Sequence, residues 1–222
     1  MRIRYKKWAR PELEASKFYI DNPEEYKGKW KTLFNNGNPI HLELGCGKGG
    51  FISQIAPLNP NINYIAIDLV DAMLGLAKRN IEEKYKEQNK ETDNIYITRY
   101  DIDRILNIFN QDDKIERIYI NFCNPWPRGK HHKKRLTHTR QLEKYKQFLV
   151  PGGKIYFKTD DDNLYFDTLS YIEQAGLQIE KTTQDLEKEE NFWQDQQNYE
   201  TEHERMFKEQ GIKIKAIIAV NS

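Results

Sequence analysis

A glycine-rich segment, HLELGCGKGGF, covers residues 41–51 and lies between an apolar run and an amphipathic segment. Gly45, Gly47 and Gly50 have the G-x-G-x-x-G spacing, in which glycines let the backbone approach a bound nucleotide closely. Asp68 ends the next apolar run, where a carboxylate can accept hydrogen bonds from ribose hydroxyls. Taken alone, this spacing predicts a dinucleotide-binding loop.

One acidic side chain changes which ligand the sequence predicts for this loop. Glu43 lies two residues before the first glycine, where a carboxylate would repel the pyrophosphate of a dinucleotide. S-adenosylmethionine (SAM) has no phosphate and carries a sulfonium and an ammonium group, so a nearby carboxylate favours it. The pattern E-x-G-x-G-x-G that begins at Glu43 resembles the first motif of class I SAM-dependent methyltransferases. That resemblance implies that Asp68 accepts the ribose hydroxyls and that Asp101 reaches the adenine edge.

A second unusual segment, NPWPRGKHHKKR, covers residues 124–135 and follows another apolar run. Prolines on both sides of Trp126 fix the backbone, so the segment predicts a rigid corner that begins at Asn124. Trp126 is expected either to pack against a base or to fill the core beneath the loop. The basic side chains that follow predict a surface for a polyanion, with a solvated lysine-rich face as the alternative.

Two kinds of methyl acceptor suit this corner. Enzymes that methylate the exocyclic amine of a base use a related Asn/Asp-Pro-Pro-aromatic turn, and Trp126 stands where that turn has its second proline. A ring nitrogen such as N-7 of guanine already carries a lone pair and no proton, so its methylation needs alignment and no strong base. The neutral amide of Asn124 is compatible with the second chemistry.

Strand-like runs and helix-like segments alternate along most of the chain. The strand-like runs are 40–44, 64–67, 95–98, 118–122, 154–157, 177–181 and 212–220. The helix-like segments are 50–58, 70–89, 102–109, 139–149 and 163–175. This alternation predicts an α/β, Rossmann-like fold, with a mostly parallel, doubly wound sheet and an antiparallel hairpin at one edge. Ligands of such sheets bind at the carboxyl ends of the strands, which is where the unusual residues fall.

Residues 1–38 lack a clear period and are predicted to form a basic N-terminal arm, partly mobile until something binds, with one short helix around residues 11–18. Residues 39–222 are predicted to form the methyltransferase domain. The two cysteines form no CxxC pair, which favours a reducing, cytoplasmic compartment. We expect neither a secretory signal nor a membrane partner, because no apolar run is long enough for either.

The long segment that starts at residue 121, NFCNPWPRGKHHKKRLTHTRQLEKYKQFLVPGGKIYFKTDDDNL, is similar to the bacterial tRNA (guanine-N(7)-)-methyltransferase family. The start of the chain, MRIRYKKWA, and the late TEHERMF at residues 201–207 agree with that family. The resemblance covers nearly the full chain. It implies a class I Rossmann-like fold, SAM as methyl donor and a guanine in the variable loop of tRNA as substrate.

The resemblance also implies roles for individual residues. The implied SAM site contains Glu43, Gly45, Gly47, Asp68, Asp101 and Asn124, and Asn124 also holds the catalytic position. The residues implied to contact the acceptor are Arg128, Asp160, Thr201 and Glu204. The residues implied to contact RNA are Lys130, His131, His132, Lys133, Lys134 and Arg135. No obligatory protein partner is expected.

The chain departs from the family pattern at three positions. Asn124 stands where the family usually has an aspartate, which argues against a role as general base. Arg128 replaces the usual lysine and keeps its charge, and His203 replaces the usual tyrosine of the late motif. We therefore interpret the corner as a device that positions the acceptor.

Three adjacent aspartates, residues 160–162, raise the question of a metal cluster. Consecutive side chains at a strand end point in different directions, so no metal is expected. Asp161 or Asp162 is expected to cap the following helix instead.

Two other functions explain part of the sequence. A nicotinamide-dependent oxidoreductase would account for the glycines and Asp68, but not for Glu43 or the proline-rich corner. A non-catalytic RNA-binding module would account for the basic run and would be favoured if Asn124 disabled catalysis.

Overall fold

The computed structural model describes residues 5–222, and the first four residues of the predicted arm lie outside that range. The described chain divides into two compact units, one that ends at Asp113 and one that covers Lys114–Ser222. Within residues 5–222, each unit contains four strands.

The first unit is built on parallel strands. Its strands are β1 (Tyr19–Ile20), β2 (Ile40–Leu44), β3 (Asn63–Asp68) and β4 (Ile95–Arg99). Its helices are α1 (Ala9–Glu14), α2 (Ile52–Leu58) and α3 (Asp71–Glu87). The strand order is β1-β4-β3-β2, and each neighbouring pair is parallel. Every residue of β2 is buried, as expected for a parallel strand covered on both faces.

The second unit mixes parallel and antiparallel pairing. Its strands are β5 (Ile115–Asn121), β6 (Leu149–Thr159), β7 (Gln178–Thr183) and β8 (Lys215–Val220). Its helices are α4 (Thr139–Tyr145), α5 (Asp162–Gln174) and α6 (Glu202–Glu209). The order is β5-β6-β8-β7, in which β5 and β6 are parallel and β8 is antiparallel to both neighbours. The predicted α/β class, with mostly parallel strands and an antiparallel edge pair, is confirmed.

The N-terminal segment packs closely on α3 in the first unit. A Cβ at Gly75 would lie 2.8 Å from the Trp8 ring and 2.9 Å from the Cβ of Ala9, so a larger residue would push α1 away. Arg79 lies over the Trp8 ring, 3.7 Å from its centroid. Trp30 is fully buried, and its Nε1 donates a hydrogen bond to the carbonyl oxygen of Ile108 at 2.7 Å. The predicted mobility of the arm without RNA stays a prediction.

Several element boundaries differ from those predicted. Helix α4 ends at Tyr145 instead of continuing to Leu149, because Leu149 already pairs with Ile115 as the first residue of β6. The predicted short helix begins earlier, at Ala9, and the segment predicted as a helix over 102–109 is a 3₁₀ helix. Helix α6 was not predicted. The short 3₁₀ helices are Pro23–Tyr26, Trp30–Leu33, Ile102–Asn107, Gly129–Lys134 and Leu186–Lys188.

None of the helices within residues 5–222 combines the length and the apolar character needed to cross a membrane.

Candidate active site

The glycine loop follows β2 directly. Gly45, Gly47 and Gly49 have φ angles of 76°, 54° and 74°, in the left-handed region that residues with a Cβ rarely adopt. The N–H groups of Gly45 and Cys46 both donate to the carbonyl oxygen of Ile67, at 2.8 and 3.0 Å, and tie the loop to β3. A Cβ built at Gly47 would meet no described atom within 4 Å. Open space therefore lies in front of the loop, where a ligand can approach its backbone.

Asp68, at the end of β3, is tied to the glycine loop by its side chain. Its Oδ2 accepts from the N–H of Gly47 and its Oδ1 from the N–H of Val70, both at 2.9 Å. Burial raises the pKa of this carboxyl, and the backbone donors oppose that rise. Each carboxylate oxygen keeps a further lone pair that can accept from a ribose hydroxyl.

Glu43 places a second carboxylate beside the same loop. The side chain is buried, with 2% of its surface exposed. The pKa of the Cys46 thiol is raised well above its usual range by burial, and also by the charges of Asp68 and Glu43. Both carboxylates are therefore close enough to affect the pKa of the same thiol. The electrostatic potential beside the loop is negative and suits a cationic ligand better than a pyrophosphate.

Asp101 lies at the end of the next strand and is exposed. Its Oδ1 accepts from the N–H of Asp103 at 3.0 Å and so caps the 3₁₀ helix that follows. Asp101 lines a cavity of about 490 Å³ together with Leu69 and with residues 21–25 of the N-terminal segment. The sequence does not predict that residues 21–25 line this cavity, because residues 1–38 show no period that would place them.

The residues of the first unit fit SAM. Glu43 lies near the carboxyl end of β2, Asp68 ends β3 and Asp101 follows β4, so the carboxylates stand at the same edge of three neighbouring parallel strands. This is the order that the resemblance implies for the ligand's amino, ribose and adenine parts. The open space at Gly47 and the negative environment of Glu43 and Asp68 suit a nucleoside that carries a sulfonium and an ammonium group.

The proline-rich corner of the second unit has an unusual backbone. Trp126 has a φ angle of 42° and Phe122 one of 52°, values that are uncommon for residues with a Cβ. Oδ1 of Asn124 accepts from the N–H of Trp126 at 3.0 Å and stabilises this turn. An aspartate would offer the same acceptor, so Asn124 keeps this part of the role that the family usually gives to an acid.

Trp126 is half-buried and packs against the basic run. The Nζ of Lys134 lies 4.9 Å from the centroid of its ring, and the ring of His131 lies 5.8 Å away. The indole is therefore neither in the deep core nor free in solvent.

The basic run forms the 3₁₀ helix Gly129–Lys134. Its exposed cationic side chains, with the residue before it, are Arg128, Lys130, Lys133 and Lys134. His131 and His132 are half-buried. Arg135 differs from all of them, because only 1% of its surface is exposed and its guanidinium bonds within the protein. This placement argues against the predicted contact between Arg135 and RNA.

The three aspartates after β6 have separate environments. Oδ1 of Asp161 accepts from the N–H of Leu164 at 2.6 Å, so of the two predicted candidates, Asp161 and Asp162, it is Asp161 that caps α5. Asp162 pairs with Lys215 at 2.6 Å. Asp160 is half-buried, and burial raises the pKa of its carboxyl. Within the described residues, no group of His, Cys, Asp and Glu side chains is arranged to hold a metal ion.

Thr201 and Glu204 hold α6 in place. Oγ1 of Thr201 accepts from the N–H of Glu204 at 3.1 Å and caps the helix. Glu204 is fully buried, 2.7 Å from the Nζ of Lys158, and its other oxygen accepts from Asn198 at 2.7 Å. Their burial and their partners argue against the predicted direct contact with the acceptor.

The segment before α6 contributes packing that the sequence does not predict. Trp193 stacks on Tyr156 with ring centroids 5.1 Å apart, and Arg117 pairs with Asp195 across the same face. The sequence carries one signal for this packing, since Lys158 directly follows the apolar residues 155–157, but it does not show which residue is the partner. In the structure Lys158 is 1% exposed. A lysine so placed needs a buried partner.

His203 lies on α6 next to the corner. Its ring is nearly parallel to that of Phe122, with centroids 6.4 Å apart. Burial raises the pKa of Asp160, and His203 is near enough to oppose part of that rise. The residue that replaces the family's usual tyrosine is thus close to both the strained Phe122 and a carboxylate predicted to contact the acceptor.

The fold and the loop define the class of protein. The structure of the 16S rRNA methyltransferase KamB matches 87% of this chain and 93% of its own, with a TM-score of 0.61 at 13% identity. An antibiotic-related methyltransferase matches 86% of this chain and 91% of its own, with a TM-score of 0.58 at 16% identity. At these identities the likeness shows the fold alone, which is that of a class I methyltransferase.

Sequence relatives define the family. Residues 37–217 match the model of a family described as "Putative methyltransferase". A tRNA (guanine-N(7)-)-methyltransferase of Clostridium beijerinckii is 56% identical over 220 residues, which are 99% of each chain. Proteins of the same name from Clostridium botulinum and Acetivibrio thermocellus are 57% and 52% identical, again over 99% of each chain. The chain belongs to the tRNA (guanine-N(7)-)-methyltransferase family and is a methyltransferase.

Proposed function

We propose that this protein transfers a methyl group from SAM to N-7 of a guanine in the variable loop of tRNA. The observation that carries the proposal is the corner at Asn124, which has a fixed, strained backbone and leads into an exposed basic helix. The names of relatives that are more than half identical over their full length support the same reaction.

The first unit would bind the methyl donor. SAM supplies an electrophilic methyl group on its sulfonium. Glu43 would balance the positive charge of the ligand, and Asp68 would accept from its ribose hydroxyls. Asp101 would contact the adenine edge, and the backbone at Gly45 and Gly47 would lie close to the ligand.

The second unit would position the acceptor. N-7 of guanine would attack the methyl carbon with its lone pair, the S–CH3 bond would break, and S-adenosylhomocysteine would leave as a neutral thioether while the positive charge passes to the base. Because N-7 loses no proton, the protein has to align the ring and need not supply a general base. The carboxylate of Asp160 is suited to accept from the N–H groups at the Watson–Crick edge of guanine. Asn124 holds the corner against which the ring would lie.

The exposed basic side chains would bind the RNA backbone. Arg128 would lie nearest the acceptor, and Lys130, Lys133 and Lys134 would contact phosphates. A guanine within a loop can be splayed out of its stack for access. Such a substrate places the enzyme in the cytoplasm, and no metal or obligatory protein partner is part of the proposal.

The test is methyl transfer from labelled SAM to an unmodified tRNA transcript, followed by chemical cleavage at 7-methylguanine. We expect one cleavage site in the variable loop, and none in a transcript whose variable-loop guanines are replaced by adenine. Label in another base or position would contradict the proposal.

A binding experiment separates this reaction from the oxidoreductase alternative. S-adenosylhomocysteine is expected to raise the melting temperature of the protein, whereas NAD is expected to leave it unchanged. The opposite result would show that the glycine loop binds a dinucleotide.

A further inference from the structure

Arg135 ends the basic run but does not share its exposure. It is 1% exposed, whereas Lys133 and Lys134 next to it are exposed. Burying a guanidinium is costly unless its N–H groups find acceptors inside the protein. Its acceptors therefore indicate what the buried charge does.

The guanidinium of Arg135 joins three parts of the second unit. Its Nε donates to the carbonyl oxygen of Pro125 at 2.6 Å. One Nη donates to the carboxylate of Asp167 on α5 and lies 3.5 Å from the hydroxyl of Tyr171. The other Nη lies 3.1 Å from Nε2 of His132 in the basic 3₁₀ helix. One side chain thus connects the corner, the basic run and α5.

The contact with Pro125 acts on the peptide bond that precedes Trp126. The carbonyl oxygen of this peptide accepts from Arg135, and its N–H donates to Oδ1 of Asn124. Both polar atoms of one peptide plane are therefore held by side chains. Because that plane helps to set the φ angle of 42° at Trp126, the two bonds together stabilise a conformation that the residue type disfavours.

We propose that Arg135 is a positioning residue that fixes the Pro125–Trp126 peptide from the inner side, with Asp167 as its counterion. It acts on the acceptor through Asn124 and does not contact RNA. This inference rests on the proposed function where the effect of Arg135 is measured as turnover. The effect of Arg135 on the backbone of the corner does not depend on that reaction.

Salt dependence distinguishes this role from a phosphate contact. A cation that contacts a phosphate releases a counterion, so its removal lowers the slope of log Kd against log salt by about one. A buried positioning residue leaves that slope unchanged and lowers turnover.

The experiment compares Arg135→Lys with Lys133→Ala in the full-length protein. Arg135→Lys keeps the charge but loses the planar fork that reaches Pro125 and Asp167 together. We expect kcat to fall by about tenfold or more, with affinity for S-adenosylhomocysteine within about twofold of wild type and an unchanged salt slope. Lys133→Ala is expected to lower the slope by about one and to act mainly through KM.

A spectroscopic measurement tests the corner without any reaction. Each of the four tryptophans is labelled with fluorine, and the Trp126 resonance is assigned with Trp126→Phe. In Arg135→Lys the resonance of Trp126 should shift or broaden, while those of Trp8, Trp30 and Trp193 stay in place. If Arg135→Lys does not fold, Asp167→Asn is measured in the same way and should shift the same resonance.

Three results would overturn the inference: an unchanged Trp126 resonance, wild-type kcat in Arg135→Lys, or a salt slope that falls by about one in that variant. Wild-type protein that fails to methylate tRNA would refute the proposed function instead, and the Trp126 resonance would still decide the role of Arg135.

Discussion

The glycine loop and the proline-rich corner both depend on left-handed backbone, but they obtain it in different ways. In the loop, Gly45, Gly47 and Gly49 adopt positive φ angles without steric cost because they lack a Cβ. In the corner, Trp126 adopts a positive φ angle despite its side chain, and so does Phe122 two residues before the corner. The loop conformation is therefore encoded by residue type, whereas the corner conformation depends on contacts made by other side chains.

The difference shows where each region is vulnerable. The loop should be sensitive to any residue that adds a Cβ. The corner should be sensitive to the loss of distant partners, such as Arg135 and the contacts that hold α6.

The largest effect is expected from breaking the buried ion pair between Lys158 and Glu204, which holds α6 in the second unit. Glu204→Ala leaves the buried ammonium of Lys158 without its carboxylate, and breaking one partner of a buried pair costs about 3–5 kcal/mol. We expect the free energy of unfolding, measured by urea denaturation, to fall by that amount. The double variant Lys158→Met with Glu204→Leu should recover most of the loss. Equal stability of both variants would show that the pair does not hold α6.

The next effect tests the loop. Gly49→Ala should destabilise the protein more than Gly47→Ala, although both have positive φ. Strain alone costs about 1–2 kcal/mol at either position. At Gly49 a Cβ would also lie 2.9 Å from the Cβ of Ala77, whereas at Gly47 it would meet open space.

The control for the loop prediction is Ala77→Gly, which removes the Cβ that Gly49→Ala would meet at 2.9 Å but leaves the Cα of residue 77 at 3.0 Å. Because glycine inside a helix itself costs about 1 kcal/mol, Gly49→Ala is measured in both backgrounds by thermal denaturation. We expect it to cost less stability in the Ala77→Gly background than in wild type. An equal cost in both backgrounds would show that the Cβ of Ala77 does not contribute to the requirement for glycine.

A smaller effect is expected when the corner loses the hydrogen bond that Asn124 accepts from Trp126. Asn124→Ala removes the acceptor for the N–H of Trp126, and we expect kcat for tRNA methylation to fall by about tenfold, with a smaller effect on SAM affinity. Asn124→Asp keeps the acceptor and should stay close to wild type. Wild-type turnover in Asn124→Ala would show that the site assignment is wrong.

The smallest expected effect is the pH dependence of ligand binding at the proposed methyl-donor site in the first unit. Burial raises the pKa of Asp68, and only its ionised form accepts from both ribose hydroxyls. Affinity for S-adenosylhomocysteine should therefore be full above that pKa and decline as the pH falls through it, starting at a higher pH than for an ordinary aspartate. Calorimetry across this range measures the decline. Asp68→Asn should bind more weakly, with little dependence on pH; an equal dependence would assign the titration to another group.

Much of the fold could be predicted from sequence because its signals are local. The apolar runs of β2, β3 and β4, the glycine spacing and the aspartates that end strands all lie within short stretches of the chain. The end of α4 could not be predicted from the sequence. Leu149 fits the apolar face of the helix, but in the structure it belongs to β6 and pairs with Ile115, more than thirty residues away.

The candidate site was predicted unevenly for the same reason. The prediction that Asp161 or Asp162 caps α5 is confirmed, with Asp161 in that role, since capping depends on residues three positions apart. The roles predicted for Glu204 and Arg135, contact with the acceptor and with RNA, come from the family resemblance, which carries a position over without showing whether its side chain is exposed. Their burial follows from partners distant in sequence, Lys158 and Asp167, which no local pattern reveals.

From the sequence alone, the residues of the glycine loop predicted the class of protein, and the resemblance of long segments to known enzymes predicted the family. The loop residues suffice for the class because only glycine takes the loop angles easily and only certain side chains suit a cationic methyl donor. The tertiary structure decided which charged residues act at the surface and which act inside. That division depends on burial and on long-range partners, which set the free energy of a charge and exist only in the folded chain.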